Sequence, residues 1–278
     1  MSLTRREFLK WAGAAAAVGV GVPSVYGGLV EAWAYEVTEA VIRIKDLPER
    51  FEGFRIAQVS DVHHSRLVSI EEVRRVVGLA NAAGADMVAL TGDYTTDLPR
   101  YVEPCAEVLA ELKAPEGVWA VLGNHDHSTD GALTRAALRR RGIEVLTNQN
   151  TELRRGADVL QLAGVDDWGW GKADFARAMR GVDTGRPSLL LSHEPMALDV
   201  PETRGVSLIL SGHTHGGQIN LPFVGAPAAY VWEHLKYLRG TYESEGTQLY
   251  VSRGTGVIGV PIRLGARPEV AVIRLQRA

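Results

Sequence analysis

The chain has 278 residues, 46% of them hydrophobic and 23% charged, with a formal net charge of −3. That is enough chain for one sizeable core, and it carries no global cationic field of the kind that draws nucleic acid, so no nucleic-acid surface is expected. A single cysteine, Cys105, excludes an intrachain disulfide and a thiolate metal cage, and is read as a buried, inert thiol.

The first element is an address. Residues 4–10 read Thr-Arg-Arg-Glu-Phe-Leu-Lys and lead into an uncharged stretch, Trp11 to Val30, rich in Ala, Gly and Val. Paired arginines ahead of a mildly apolar core resemble a twin-arginine export signal. Ala32-Trp33-Ala34 has the small-x-small pattern of a cleavage site. Residues 1–34 are therefore set apart as a signal or, if retained, a membrane anchor, because 20 uncharged residues are just enough to cross a bilayer. Residues 35–278 are read as a single domain, without a linker long enough to divide them. The twin-arginine route carries folded proteins, as the resemblance implies. The export machinery is then a partner and the destination is periplasmic or otherwise extracytoplasmic.

Val37 to Ile44 alternates and predicts a strand, and Phe54 to Ser60 predicts a second. Ser69-Ile70-Glu71-Glu72 is a capping box for a helix whose apolar face is Val73, Val76, Val77 and Ala80. A strand over Asp86 to Thr91, a helix over Val102 to Lys113, a strand over Val118 to Leu122 and a helix from about Gly131 to Arg141 follow. Strands are then predicted at Val159–Val165, Leu189–Ser192, Val206–Ser211, Leu249–Ser252 and Val270–Leu275. Strand–helix alternation in the first half favours βαβ units, and the later part is richer in strands.

Five polar clusters each stand just after an apolar run: Asp61-Val62-His63, Gly92-Asp93, Gly123-Asn124-His125-Asp126, Ser192-His193 and Gly212-His213-Thr214-His215. Strand C-terminal ends in α/β sheets converge on the binding crevice, so these side chains should meet despite their separation in sequence. Taken singly, each cluster reads equally as a turn or a structural histidine. Their joint order is far more specific.

That order resembles the calcineurin-like metallophosphoesterase family, whose blocks are Asp-x-His, Gly-Asp, Gly-Asn-His-Asp/Glu, His and Gly-His-x-His. Gly-Gly-Gln-Ile-Asn-Leu-Pro at 216–222 and Gly265-Ala266-Arg267-Pro268-Glu269 further resemble a branch of exported or membrane-associated bacterial phosphodiesterases. The resemblance implies an α/β fold in which two mixed β-sheets pack as a sandwich flanked by helices. It implies two divalent metal ions, one held by Asp61, His63, Asp93 and His215, the other by Asp93, Asn124, His193 and His213, with Asp93 shared. Mixed nitrogen and oxygen donors suit manganese, iron or zinc rather than calcium, and loading before export favours manganese. A deprotonated water bridging the ions would attack phosphorus. The resemblance also implies that His125 faces the leaving group, and His125 is assigned to protonating the leaving oxygen, with Asp126 accepting the other ring proton of His125. Asp97 stands four residues after Asp93, where the family often has an Asp three residues on, and is left out of the ligand set. His64 should point away from the metal of His63, toward substrate or surface.

The substrate must be chosen by loops. Asp166-Asp167-Trp168-Gly169-Trp170-Gly171 and Tyr230 to Tyr237 are expected to pack on the core or brace one another. Exposed, their aromatics would instead line a ring-stacking pocket and point to a lipid-linked phosphoester or a membrane surface. An exported phosphodiesterase is the reading carried forward. The alternative is a membrane-associated UDP-2,3-diacylglucosamine-type pyrophosphohydrolase of lipid A synthesis. A non-catalytic scaffold of the same fold is disfavoured by the intact ligand set.

Overall fold

In the computed structural model, residues 25–221, 223–227 and 236–278 are described. Residues 1–24 of the export segment and most of the Tyr230–Tyr237 loop lie outside them. The strands are β1 (Glu36–Ile44), β2 (Arg55–Val59), β3 (Met87–Leu90), β4 (Val118–Ala120), β5 (Glu144–Val145), β6 (Gln149–Arg155), β7 (Asp158–Gly164), β8 (Ser188–Leu191), β9 (Leu208–Ser211), β10 (Gly240–Ser244), β11 (Thr247–Val251) and β12 (Glu269–Arg277). Among the described residues, the α-helices that follow β2 are α1 (Ile70–Ala82), α2 (Val102–Leu109), α3 (Asn124–Arg139) and α4 (Phe175–Ala178).

Apolar runs without alternation make strands buried on both faces. In β3, Met87 and Ala89 face one side and Val88 and Leu90 the other, and all four residues are buried. The same holds for Leu189 and Leu191 against Leu190 in β8, and for Leu208 and Leu210 against Ile209 in β9. These strands form two six-stranded sheets, ordered β1-β12-β2-β3-β4-β5 and β10-β11-β9-β8-β7-β6. Both are mixed: β2, β3, β4 and β5 run parallel while β12 is antiparallel to β2, and β7, β8, β9 and β11 run parallel between antiparallel edge strands.

The sheets face each other across Ile42, Ile56, Met87, Leu162, Leu191, Leu210 and Ile273. Helices α1, α2 and α3 cover the outer face of the first sheet, through Val73, Val76, Val77 and Ala80 of α1, Cys105 and Leu109 of α2 and Leu138 of α3. Ser69 Oγ accepts the Glu72 amide at 3.3 Å, which fixes the start of α1 where the sequence placed it. On the outer face of the second sheet lie Ala178 of α4 and the one-turn segment Pro195–Asp199. This is the helix-flanked sandwich expected.

Three features depart from the predicted elements. Helix α3 begins at Asn124, not near Gly131, and an extended Asp130 (φ −177°, ψ 91°) breaks it into two pieces. Strands β5, β6 and β10 and helix α4 were not predicted; β5 closes an edge of the first sheet and β6 and β10 the two edges of the second, and none of the three strands shows apolar alternation. Residues 25–34 also pack against the rest of the chain. Ala32 is buried with Val68 and Val257, Glu31 Oε1 accepts the Ala266 amide at 3.1 Å, and Gly27 O accepts the Arg263 amide at 3.1 Å. The boundary expected at residue 34 cuts through these contacts. Among the described residues, no helix is long and apolar enough to cross a membrane.

Candidate metal centre

Each cluster occupies the turn leaving the C-terminal end of a strand: Asp61 and His63 after β2, Asp93 after β3, Asn124 after β4, His193 after β8, and His213 and His215 after β9. The chain reverses sharply there. Asp61, His63, Asp93, His213 and His215 all take positive φ, between 52° and 70°. Such backbone costs about 1–3 kcal/mol per non-glycine residue and persists only where surrounding structure enforces it. The enforcing contacts are visible: the Asp61 amide donates to Gly92 O, the His63 amide to Asp93 O, and the Gly212 amide to His193 O. Intervening residues turn the other way, so Val62 and Tyr94 sit in the core. Two of the motif glycines are required by contact. A Cβ on Gly123 would strike the Asp93 carboxylate, and one on Gly212 would strike Ser60 and Asp61.

The expected ligands converge. Asp61, His63 and His215 place one donor atom each within 4.8 Å of one another, and so do Asp61, Asp93 and His193. His63 Nε2 and His215 Nε2 face each other at 2.9 Å. Asp93 Oδ2 is 3.6 Å from His63 Nε2 and 3.2 Å from His193 Nε2. Asn124 Oδ1 is 3.0 Å from His193 Nε2 and 3.2 Å from His213 Nδ1. The far ring nitrogens are held from outside: His193 Nδ1 donates to Thr91 O at 2.8 Å, and His63 Nδ1 is 2.5 Å from Thr96 Oγ1. Anchored this way, the rings turn their Nε2 atoms inward.

Charge is concentrated here without bulk water. Burial pushes the Asp61 carboxyl up to about 6. Burial acts the same way on Asp93, yet His193, His63 and His125 outweigh it and hold that carboxyl well below the usual range. Burial drives His63 down to about 3 and His215 well below the ordinary imidazole value. Burial also opposes a charged His193, but Asp93 and Asp61 overcome it and hold that ring well above. Buried carboxylates, inward-facing imidazoles and a neutral amide oxygen, with no thiolate, are the donor set of divalent cations of borderline hardness, and the residues present fit such ions.

His125 stands at the mouth, half-buried, with its ring edge-on to His63 at 5.0 Å between centroids and its amide donating to Asp93 Oδ1 at 2.8 Å. Asp126 corrects an expectation. It does not serve the His125 ring; its oxygens accept the backbone amides of Asp93 at 2.8 Å, Tyr94 at 2.9 Å, Thr95 at 3.3 Å and Gly123 at 3.0 Å. It is fully buried and holds the turn that carries Asp93.

Two neighbours of the centre were missed. Glu194 follows His193 directly, places Oε2 3.5 Å from His213 Nε2, and is pushed up to about 7 by burial. Its adjacency to His193 was the available signal. Arg263 is fully buried and presents Nη2 to His215 Nδ1 at 3.2 Å, while donating to the carbonyls of Gly256, Arg253 and Ala266. Nothing local in Pro261-Ile262-Arg263-Leu264 marks it. His64 is neither on the surface nor toward a substrate: it is buried, with Nδ1 donating to Val68 O at 2.9 Å and its ring against Tyr101. Asp97 is exposed and apart from both donor sets. Cys105 is buried, and burial pushes its thiol far up. Trp168 and Trp170 do not pack on the core as expected; they are 52% and 67% exposed, while Tyr237 is buried.

Comparisons with known proteins give the family. A model of the calcineurin-like phosphoesterase family matches residues 54–217, and one of the twin-arginine translocation pathway signal sequence matches residues 2–20. The chain is 34% identical over 282 residues to an uncharacterized metallophosphoesterase, YkuE, of Bacillus subtilis (strain 168), covering 99% of this chain and 98% of that protein. It is 30% identical over 277 residues to the phosphodiesterase YaeI of Escherichia coli (strain K12), covering 98% and 99%. The sulfate thiohydrolase SoxB of Thermus thermophilus is similar in fold alone, with a TM-score of 0.50 and 15% identity over 76% of this chain and 53% of that one.

Proposed function

The chain belongs to the calcineurin-like phosphoesterases and is a phosphoester hydrolase, and from that premise we propose that it is a two-cation phosphodiesterase working after export by the twin-arginine route. Asp61, His63, Asp93 and His215 would hold one cation, and Asp93, Asn124, His193 and His213 the other. The observation that carries this reading is Asp93, whose Oδ2 lies between His63 Nε2 at 3.6 Å and His193 Nε2 at 3.2 Å. Such cations supply Lewis-acid charge to a phosphoryl oxygen and acidity to a water. The donor chemistry and loading before export support manganese, with iron or zinc the other candidates.

His125 is the residue for the leaving group. It is half-buried at the mouth, fixed through its amide to Asp93, and its ring is free to reach an ester oxygen. Asp126 acts through the backbone, as a positioning residue for Asp93. The name of the YaeI relative supports a diester over a monoester. The match to a twin-arginine signal supports an extracytoplasmic site of action.

The test is a manganese-supplemented substrate series with His125→Ala. On diesters with poor leaving groups, activity should fall by about 10²–10⁴-fold. It should fall much less on bis(p-nitrophenyl) phosphate, with metal content unchanged. Equal losses on good and poor leaving groups would remove the acid role. The same series includes p-nitrophenyl phosphate, cyclic nucleotides and the acylated UDP-sugar, and turnover of the last alone would replace this reading with the pyrophosphohydrolase one.

A further inference from the structure

Next to the metal centre a cavity of about 530 Å³ opens between α3 and the loop after β7. Its position follows from the sheet. Strands β9, β8 and β7 are parallel neighbours, so their C-terminal ends present in turn His213, His193 and the Asp166–Lys172 loop. One strand step is about 5 Å, so the rim of the cavity at Asp166 lies about one step beyond His193 along the same edge. The opposite wall is α3, which carries Asn124 and His125 in its first turn and contributes His127 to the cavity.

The charge of this cavity is unlike that of the whole chain. Arg135, Arg139, Lys172 and Arg177 line it, in a protein whose net charge is −3. The carboxylate lining it, Asp166, is already taken by His127 Nε2 at 2.8 Å. Arg135 is the decisive residue. It lines the cavity with Nη2 4.0 Å from Asp166 Oδ1, beyond hydrogen-bond distance, so that carboxylate leaves the guanidinium fork open to another anion. Trp170 stands exposed among the lining residues, on a loop whose turn is held by Asp167 Oδ1 accepting the Trp170 amide at 2.7 Å.

We infer that this cavity is a second anion subsite, which seats a phosphate group of the substrate other than the one cleaved at the metal centre. The inference rests on the metal centre being the place of cleavage. Guanidinium forks match phosphate oxygens in a plane and in pairs, and cationic side chains on both walls hold such a group better than a neutral ester. A separation of about one strand step suits two phosphates carried by one pentose ring. The substrate class is therefore a small phosphodiester bearing a further phosphate.

The experiment is calorimetric binding of adenosine 3′,5′-bisphosphate and adenosine 5′-monophosphate to the metal-loaded protein. The bisphosphate should bind about tenfold tighter or better, the equivalent of one charge-assisted hydrogen bond. Arg135→Gln should collapse that ratio toward unity. Lys172→Gln, at an exposed position that tolerates substitution, should reduce it in part. Equal affinities in the unaltered protein, or a ratio that survives both substitutions, would overturn the subsite. A bisphosphate advantage in a protein that cleaves no diester would keep the subsite and overturn the cleavage reading.

Discussion

Asp126 and His125 are neighbours in sequence but serve different parts of the site. The Asp126 carboxylate accepts four backbone amides, three of them from Asp93, Tyr94 and Thr95. Asp126→Asn would turn an NH₂ group toward one set of those donors. Stability should drop by about 2–4 kcal/mol and metal affinity should drop with it, read by thermal unfolding and metal titration. A loss of kcat alone, with stability intact, would return Asp126 to the His125 ring. Metal uptake should also release protons, because carboxylates and imidazoles bind cations deprotonated. Burial places the Asp61 carboxyl at about 6, and Asp93 and Asp61 hold His193 well above the usual imidazole range against the opposing effect of burial, so protons compete with metal increasingly as pH falls through 6. Titrations in buffers of different ionisation enthalpy count those protons, and an uptake without proton release would contradict the assigned ligands. The proposed ligands were legible in sequence, because each sits in a short polar block after an apolar run. Arg263 was not, because a buried arginine 48 residues from His215 leaves no local pattern.

At the scale of elements, legibility followed burial. Strands β3, β8 and β9 are buried along their whole length and announced themselves as apolar runs. Strands β6 and β10 are sheet edges whose pattern is polar, so only pairing defines them. The start of α3 was hidden for a related reason: Gly-Asn-His-Asp has turn composition, yet Asp126 accepts the Gly123 amide and supplies half of a capping box. The segment before β1 carries its own prediction. Glu31 accepts the Ala266 amide next to the carbonyls that Arg263 holds, and Ala32 is buried against Val68 and Val257. A chain starting at residue 35 should lose about 2 kcal/mol or more of stability relative to one starting at residue 25, read by denaturant unfolding. Identical midpoints would make residues 25–34 a detachable leader after all. The N-terminus of exported protein, determined by mass spectrometry, should accordingly fall before Glu31.

At the scale of the molecule, the centre lies where the C-terminal edges of both sheets meet. The first sheet supplies Asp61, His63, Asp93 and Asn124, and the second supplies His193, His213 and His215. Bound cations would therefore cross-link the two sheets. Chelation should lower the thermal midpoint, by the equivalent of about 2.7 kcal/mol when free metal had stood at a hundred times Kd. A midpoint unmoved by chelator would count against a loaded centre. By itself the sequence determined the clusters that carry the proposed donors, the export signal, the alternating elements and the family, since these are encoded in local patterns and in their order. Only the tertiary structure decided that Asp126 braces backbone, that Arg263 and Glu194 join the centre, that residues 25–34 belong to the fold, and that a cationic cavity lies one strand away. Those outcomes depend on which distant segments are pressed together, and packing between segments far apart in the chain leaves no periodicity to read.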